Sequence, residues 1–434
     1  MTPGARLAAA IEVLADIGAR RRPAPDALKD WGLSHRFAGS GDRAAIAGLV
    51  YDTLRRRASA AFMMDDDSPR GTALGMLVRE RQLDADAVAR LADGTGYAPS
   101  ALTDTERARL AAADVGNAPA HVRGDYPEWL DPYLAKVFGD ERAEEGAALA
   151  SRAPLDLRVN TLKGERDEVQ AQLADLKPEP TRWSPQGLRI TLAADAKNPA
   201  VHAEPAYLKG LVEVQDEGSQ LAALLAAASP GEQVLDLCAG GGGKTLALAA
   251  AMQNKGQLYA TDDDKRRLAP IHERLTRAGA RNVQVRTPKS INTELDDLKG
   301  RLDLVLIDAP CTGIGAWRRN PDAKWRVRPG ALEVRNKEQV AVLDRAAALV
   351  KPGGRIAYIT CSVLDEENGA QVRGFVERHP GFTIAPPAEV MTHALGERAY
   401  LFRRAVLLAA EGLLMTPRRT DTDGFFVSVL RRAA

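Results

Sequence analysis

A chain of 434 residues is too long for one ordinary domain, and two or three are expected. Its 45% hydrophobic content is globular, no apolar run approaches the ~20 residues of a membrane span, and Glu12, Asp16 and Arg20–Arg22 break up the apolar N-terminus, so a cytoplasmic protein is expected rather than a membrane or secreted one. With a net charge of +1, any nucleic-acid affinity must come from local patches such as Arg20–Arg22, Arg55–Arg57 and the cluster Arg318, Arg319, Lys324, Arg326 and Arg328.

Residues 1–122 read as an alanine-rich helical bundle, with helices expected over 4–20, 41–57, 69–80, 84–93 and 103–113. Ile46, Leu49, Val50 and Leu54 share one face, and a scaffold or docking role without chemistry is the preferred reading. Residues 123–208 change character: a helix-bearing stretch from Pro127, an alternating strand at 155–162, a helix at 165–176 and a strand at 187–192 predict a small α+β unit. Arg158, Asn160 and Lys163 give its first strand a polar face, Trp183 fits a core position better than a base-stacking one, and 198–210 reads as a linker. From 209 onward strands and helices alternate. Strands at 233–238, 257–261, 283–287, 302–308, 355–360, 382–385 and 424–430, with helices between them, predict an α/β doubly wound, mainly parallel sheet with one late strand inserted antiparallel.

The most informative stretch is Val234–Thr245, VLDLCAGGGGKT, where a buried strand runs into four glycines and then a helix. Such a loop lets a ligand approach the backbone and offers it N–H groups and the positive end of a helix. A Walker A motif would need glycine where Cys238 stands, which weakens a phosphate-loop reading. The next strand ends in Asp262, the place where a ribose hydroxyl pair would be held.

The three cysteines, Cys238, Cys311 and Cys361, lack the spacing of a zinc site or a disulfide framework, and no metal is expected. Each lies at or just past the end of a predicted strand. LVLIDAPC delivers Asp308 and then Cys311, and IAYITCS delivers Cys361. A thiolate, a carboxylate and a nucleotide-like cofactor suit alkylation of an electron-poor ring carbon. Carbon 5 of cytosine becomes nucleophilic only after a thiolate adds at carbon 6.

The segments DLCAGGGGKT (236–245), DAPCTGIG (308–315), RRNPDAKWR (318–326), TCSVLDEENGAQV (360–372) and DGFFVSVLRR (423–432) resemble those of the RNA cytosine-C5 methyltransferases of the RsmB/Sun type. RVNTLK (158–163) and VQDEGSQL (214–221) resemble the same family's upstream motifs, and 41–57 more loosely its NusB-like helical domain. The resemblance implies a seven-stranded class I methyltransferase sheet at 209–434, a NusB-like RNA-binding domain at 1–122 and a small α+β RNA-recognition domain at 123–208. It implies S-adenosylmethionine bound by Cys238, Ala239, Gly240, Gly241, Gly242, Gly243 and Lys244, with Asp262 on the ribose and Asp308 between cofactor and base. Cys361 would be the nucleophile and Cys311 would assist release of the product. Lys244 and Lys324 would line the cleft, with Arg318 and Arg319 on RNA phosphates.

Two positions depart from the family pattern. Gly241 stands where proline is usual, and Lys289 stands where an aspartate would hold the adenine amino group, which lysine cannot accept from. The function implied is 5-methylcytosine formation in RNA, ribosomal in the first instance, by a monomer. The alternatives are methylation of transfer RNA, a non-catalytic RNA-binding assembly factor, and a NAD-dependent oxidoreductase. The oxidoreductase shares the glycine loop but leaves the Pro-Cys and Thr-Cys pair unexplained, and a binding module has no need of both cysteines.

Overall fold

The computed structural model describes residues 1–192, 199–288 and 295–434. Contacts divide the chain into two compact units. One joins Met1–Arg152 with Trp317–Arg328; the other holds the remaining described residues of 153–316 together with Pro329–Ala434.

The first unit is helical. Its opening helix Pro3–Arg20 starts with proline at the first position and with Thr2 accepting from the Ala5 N–H at 3.2 Å; Ser68 and Thr103 cap later helices in the same way. Leu7, Val13, Ile46, Val50, Leu54, Leu74 and Leu77 fill the core between them. The helix expected over 41–57 is interrupted: Ser40–Arg55 ends at Arg56, whose backbone leaves the helical range, and Arg57–Met64 begins anew. Residues 123–152 pack in this unit, while the sheet residues that follow belong to the other.

The segment Trp317–Arg328 is threaded into the same helical unit for a local reason. The last carbonyls of Ser40–Arg55 have no helical partner. Trp325 donates its indole N–H to the Leu54 carbonyl (2.6 Å), and Lys324 Nζ donates to the Arg55 carbonyl (3.0 Å). Arg55 Nη2 in turn donates to the Arg318 carbonyl at 3.0 Å, and the Asp322 carboxylate accepts from the Ala24 N–H at 3.2 Å.

The second unit contains two sheets. The small one has strands β1 (Leu155–Val159), β2 (Glu179–Pro180), β3 (Gly187–Ile190) and β4 (Val212–Val214), in antiparallel order β2-β3-β1-β4. Of the polar positions Arg158, Asn160 and Lys163, only Lys163 is exposed. Arg158 and Asn160 are buried, Asn160 donates to the Gly210 and Ala278 carbonyls, and Lys163 Nζ donates to the Arg277 carbonyl at 2.6 Å. The motif thereby ties the small sheet to the carbonyl end of the helix Ile271–Ala278, where a cation is favoured by the helix dipole. Trp183 is buried in the core, edge-on to Phe402, with its indole N–H on the Thr420 carbonyl at 2.9 Å.

The large sheet is built on β5 (Gln233–Asp236), β6 (Gln257–Ala260), β7 (Val283–Val285), β8 (Leu302–Asp308), β9 (Val350–Thr360), β10 (Phe382–Ile384) and β13 (Phe425–Arg432). β7-β6-β5-β8-β9 are parallel neighbours, and β13 runs antiparallel beside β9 and carries β10. This is the doubly wound sheet expected from the sequence. The unanticipated addition is a hairpin, β11 (Leu407–Ala409) and β12 (Gly412–Met415), that extends it along β13. Val234, Leu235, Leu304, Leu306, Ala357 and Ile359 are fully buried, as strands covered on both faces should be. Strand order reverses at β5, which has β6 on one side and β8 on the other. In such sheets the crevice at the carboxyl ends of these strands receives ligands.

Candidate active site

The glycine loop leaves β5 and closes on itself before the helix Gly243–Ala251 begins. The Gly242 N–H donates to the Ala239 carbonyl (2.8 Å), and the Ala239 N–H donates to the Thr261 carbonyl (2.8 Å). Gly240 and Gly242 have φ of 50° and 86°, a region that disfavours any side chain, and a Cβ at Gly242 would meet Ile271 Cγ1 at 2.6 Å. Asp262 is buried and both its oxygens are engaged: Oδ2 accepts from the Gly240 N–H (2.9 Å) and Oδ1 from the Asp264 N–H (2.9 Å).

Beneath the loop, Asp236 is fully buried. Thr245 Oγ1 donates to its Oδ2 at 2.7 Å, while its Oδ1 has no partner among the described residues. Burial, only partly offset by the Thr245 hydrogen bond, pushes its carboxyl up to about 7. Burial and the acids around it also push the Cys238 thiol up. Lys244 turns inward to Asp308, Nζ to Oδ2 at 2.7 Å, and lies over the Phe425 ring at 5.0 Å.

The two cysteine loops meet at the ends of adjacent strands. Asp308 pairs with Ile359 in register, the Ala309 N–H donates to the Ile359 carbonyl (2.8 Å), and the Gly315 N–H donates to the Cys361 carbonyl (2.9 Å). These bonds bring Cys311 Sγ to 3.4 Å from Cys361 Sγ. The hydrogen bond to Cys361, then burial, holds the Cys311 thiol well above its ordinary range. Sequence reasoning missed the residue that braces this pair. Glu367 is fully buried, and its carboxylate accepts from the Thr312 N–H (2.7 Å), the Thr312 hydroxyl and Gln339 Nε2 (3.2 Å). Burial pushes its carboxyl up. After Cys361 the chain makes a short 3₁₀ turn, Asp365–Glu367, before the helix Gly369–Arg378, and the group set against the Cys361 sulfur is the Cys311 thiol.

A cavity of about 870 Å³ opens beside these residues, lined by Cys238, Asp262, Arg267, Asp308, Pro310 and Arg335 among others. The structure thus brings together Cys238, Asp262 and Asp308 on one cavity wall. Lys289 lies outside the described residues.

The basic cluster behaves differently from its expected role. Arg318 and Lys324 are each 1% exposed, so in this structure their charges are not presented at the surface. Lys324 Nζ is consumed in closing the helix end described above, and the Arg318 backbone carbonyl is fixed there by Arg55. Burial lowers the Lys324 amine to about 7. Arg319 is half-buried, and Lys244 is turned to Asp308 rather than outward. Of the second cluster, Arg55 is buried, Arg56 Nε donates to Glu80 (2.6 Å) and Arg57 lies over the Trp325 ring.

The chain is similar to known proteins. The description "16S rRNA methyltransferase RsmB/F" matches residues 223–431, and the ferredoxin-like domain of the same group matches residues 126–197. A probable ribosomal RNA small subunit methyltransferase B of Synechocystis is 32% identical over 312 residues, covering 71% of this chain and 67% of the relative. The chain belongs to the RsmB/F methyltransferase family. Ribosomal RNA small subunit methyltransferase B of Salmonella arizonae is 34% identical over 270 residues, 62% of this chain. This chain spans 61% of the length of that relative. A crystal structure of a methyltransferase homologue from Pyrococcus horikoshii superimposes with a TM-score of 0.58 at 25% identity, over 72% of this chain and 97% of its own. As an RsmB/F methyltransferase, the chain has the class I sheet with a helical N-terminal part.

Proposed function

We propose that the chain transfers a methyl group from S-adenosylmethionine to carbon 5 of a cytosine in small-subunit ribosomal RNA, through a covalent bond between Cys361 and carbon 6. The observation that carries this reading is the pair of thiols 3.4 Å apart at the ends of β8 and β9, beside Asp308 and the glycine loop.

The cavity suits the cofactor. Two glycines in left-handed backbone leave room for a nucleoside-bearing ligand, and Asp262 on the cavity wall keeps lone pairs for a ribose hydroxyl beyond the N–H groups it already accepts. Cys238 to Lys244 would form the floor of that site. When bound, S-adenosylmethionine supplies an electrophilic methyl group. The protein's own work is on the base. Cys361 Sγ adds to C6, which puts electron density on C5. Asp308, held in place beside Lys244, would face N3 and, as the carboxylic acid, donate its proton toward N3 to offset the shifted charge. Cys311 assists the later stage, in which a base in the cleft takes the C5 proton, the C–H electron pair re-forms the C5–C6 double bond and the C6–S bond breaks to return Cys361 as thiolate.

Relatives named as ribosomal RNA small subunit methyltransferases support the substrate class. The test is mass mapping of 5-methylcytosine in ribosomal and transfer RNA from a deletion strain. Loss of one ribosomal 5-methylcytosine, restored by the gene, is expected. An unchanged ribosomal map would overturn the proposal.

A further inference from the structure

Gly241 is the position at which the cofactor loop lacks a ring to fix its backbone, yet its peptide is held from both sides. The N–H that follows its carbonyl, on Gly242, is bonded to the Ala239 carbonyl. The Gly241 carbonyl itself accepts from Arg274 Nη1 at 2.6 Å. Arg274 comes from the helix Ile271–Ala278 and is aimed by its other terminal nitrogen, which donates to Glu213 Oε2 at 3.0 Å. Glu213 sits on β4 of the small sheet, 2% exposed, and its other oxygen accepts from Arg277 Nη2 at 2.5 Å. Arg158, buried nearby on β1, binds Gln215 rather than this carboxylate, which leaves Glu213 to Arg274 and Arg277.

We propose that Arg274, oriented by Glu213, is a positioning residue that holds the Gly241 peptide and thereby keeps the glycine loop in its ligand-binding shape. The physical reason is that four successive glycines have more conformational freedom than any other four residues, and binding a ligand on them would otherwise require ordering them each time. A guanidinium with one nitrogen on a carbonyl and another on a buried carboxylate is itself held in place, so it can impose that geometry. Because Glu213 lies on β4, the cofactor loop is coupled to the small sheet through one side chain. The inference rests on the reading of this loop as the S-adenosylmethionine site.

The experiment uses the full chain and calorimetric titration of S-adenosylmethionine. Arg274→Ala should weaken binding by about tenfold or more, the usual effect of losing a charge-assisted hydrogen bond. Methylation of RNA at saturating cofactor should change much less, so that KM for the cofactor rises while kcat is kept. Glu213 retains Arg277 in this variant, so the melting temperature should move little. The decisive variant is the double change Arg274→Ala with Gly241→Pro. Proline locks φ, Gly241 is outside the left-handed region, and the one group a Cβ there would crowd is Arg274 Nη1 at 3.2 Å, which the first change removes. Recovery of cofactor affinity in the double variant is expected. If Arg274→Ala binds S-adenosylmethionine as the wild type does, or if the double variant binds no better than the single one, the positioning role is wrong. If the wild type itself shows no binding, the reading of the loop falls instead.

Discussion

Cys311 Sγ and Cys361 Sγ face each other at 3.4 Å, and this contact raises the Cys311 thiol. A disulfide needs ~2.0 Å between sulfurs, so a modest side-chain rotation would close the gap. Treatment with diamide, which takes one hydrogen from each thiol, should form an intramolecular Cys311–Cys361 disulfide and abolish methylation, with full recovery in dithiothreitol. Peptide mapping reads the outcome. Oxidation that leaves this pair reduced while the enzyme is inactivated would contradict the geometry.

Glu367 braces the Pro-Cys loop from inside. Replacing it with alanine leaves the Thr312 N–H and hydroxyl without their buried acceptor, which costs about 2–4 kcal/mol of stability. Methylation should fall steeply while calorimetry finds S-adenosylmethionine binding close to normal, because Glu367 does not line the cofactor cavity. Equal losses in both would show that the bracing extends to the cofactor site.

The buried carboxyl of Asp236 makes stability depend on pH. Its pKa is raised to about 7 in the fold by burial, so between about pH 4 and 7 the unfolded chain loses this proton first. Below pH ~4 the group is protonated in both states and costs nothing; as pH rises toward 7 stability falls, by at most about 4 kcal/mol, and stays lower above it. Asp236→Asn keeps an acceptor for Thr245 and removes the ionisation. Urea denaturation should find the variant more stable than wild type by up to about 4 kcal/mol at pH 8 and by less than half of that at pH 5. A difference that does not change between the two would remove Asp236 as the source.

Lys324 supplies a contrast with an exposed cation. Lys324→Met should leave the salt dependence of RNA binding unchanged, because a buried amine releases no counterion from a phosphate. Its effect should appear in the melting of the helical unit. A reduced salt slope, by about one, would return Lys324 to the RNA surface.

The contrast also shows what could be read from residues alone. The strands of the main sheet were legible because their apolar runs end in the glycine loop, Asp308 and Thr-Cys-Ser, so that Cys238, Asp262 and Asp308 could be expected in one crevice. The hairpin at 407–415 was not, because LLAAEGLLM has no strand alternation and its second strand joins the sheet only through β13. Arg318 and Lys324 looked like a solvated basic patch; nothing in a local pattern says that distant helix carbonyls at 54 and 55 need donors. Glu367 was hidden in the acidic run Asp365-Glu366-Glu367, where only the tertiary fold selects the member that turns inward.

The central claim, that Cys361 attacks and Cys311 does not, is most directly tested with RNA carrying 5-fluorocytosine. Fluorine at C5 blocks the final elimination and leaves the nucleophilic cysteine bound to the base. Denaturing electrophoresis of the wild type with S-adenosylmethionine should show the protein–RNA adduct, Cys361→Ala should show none, and Cys311→Ala should retain it. An adduct that survives in Cys361→Ala and disappears in Cys311→Ala would reverse the two roles and contradict the account.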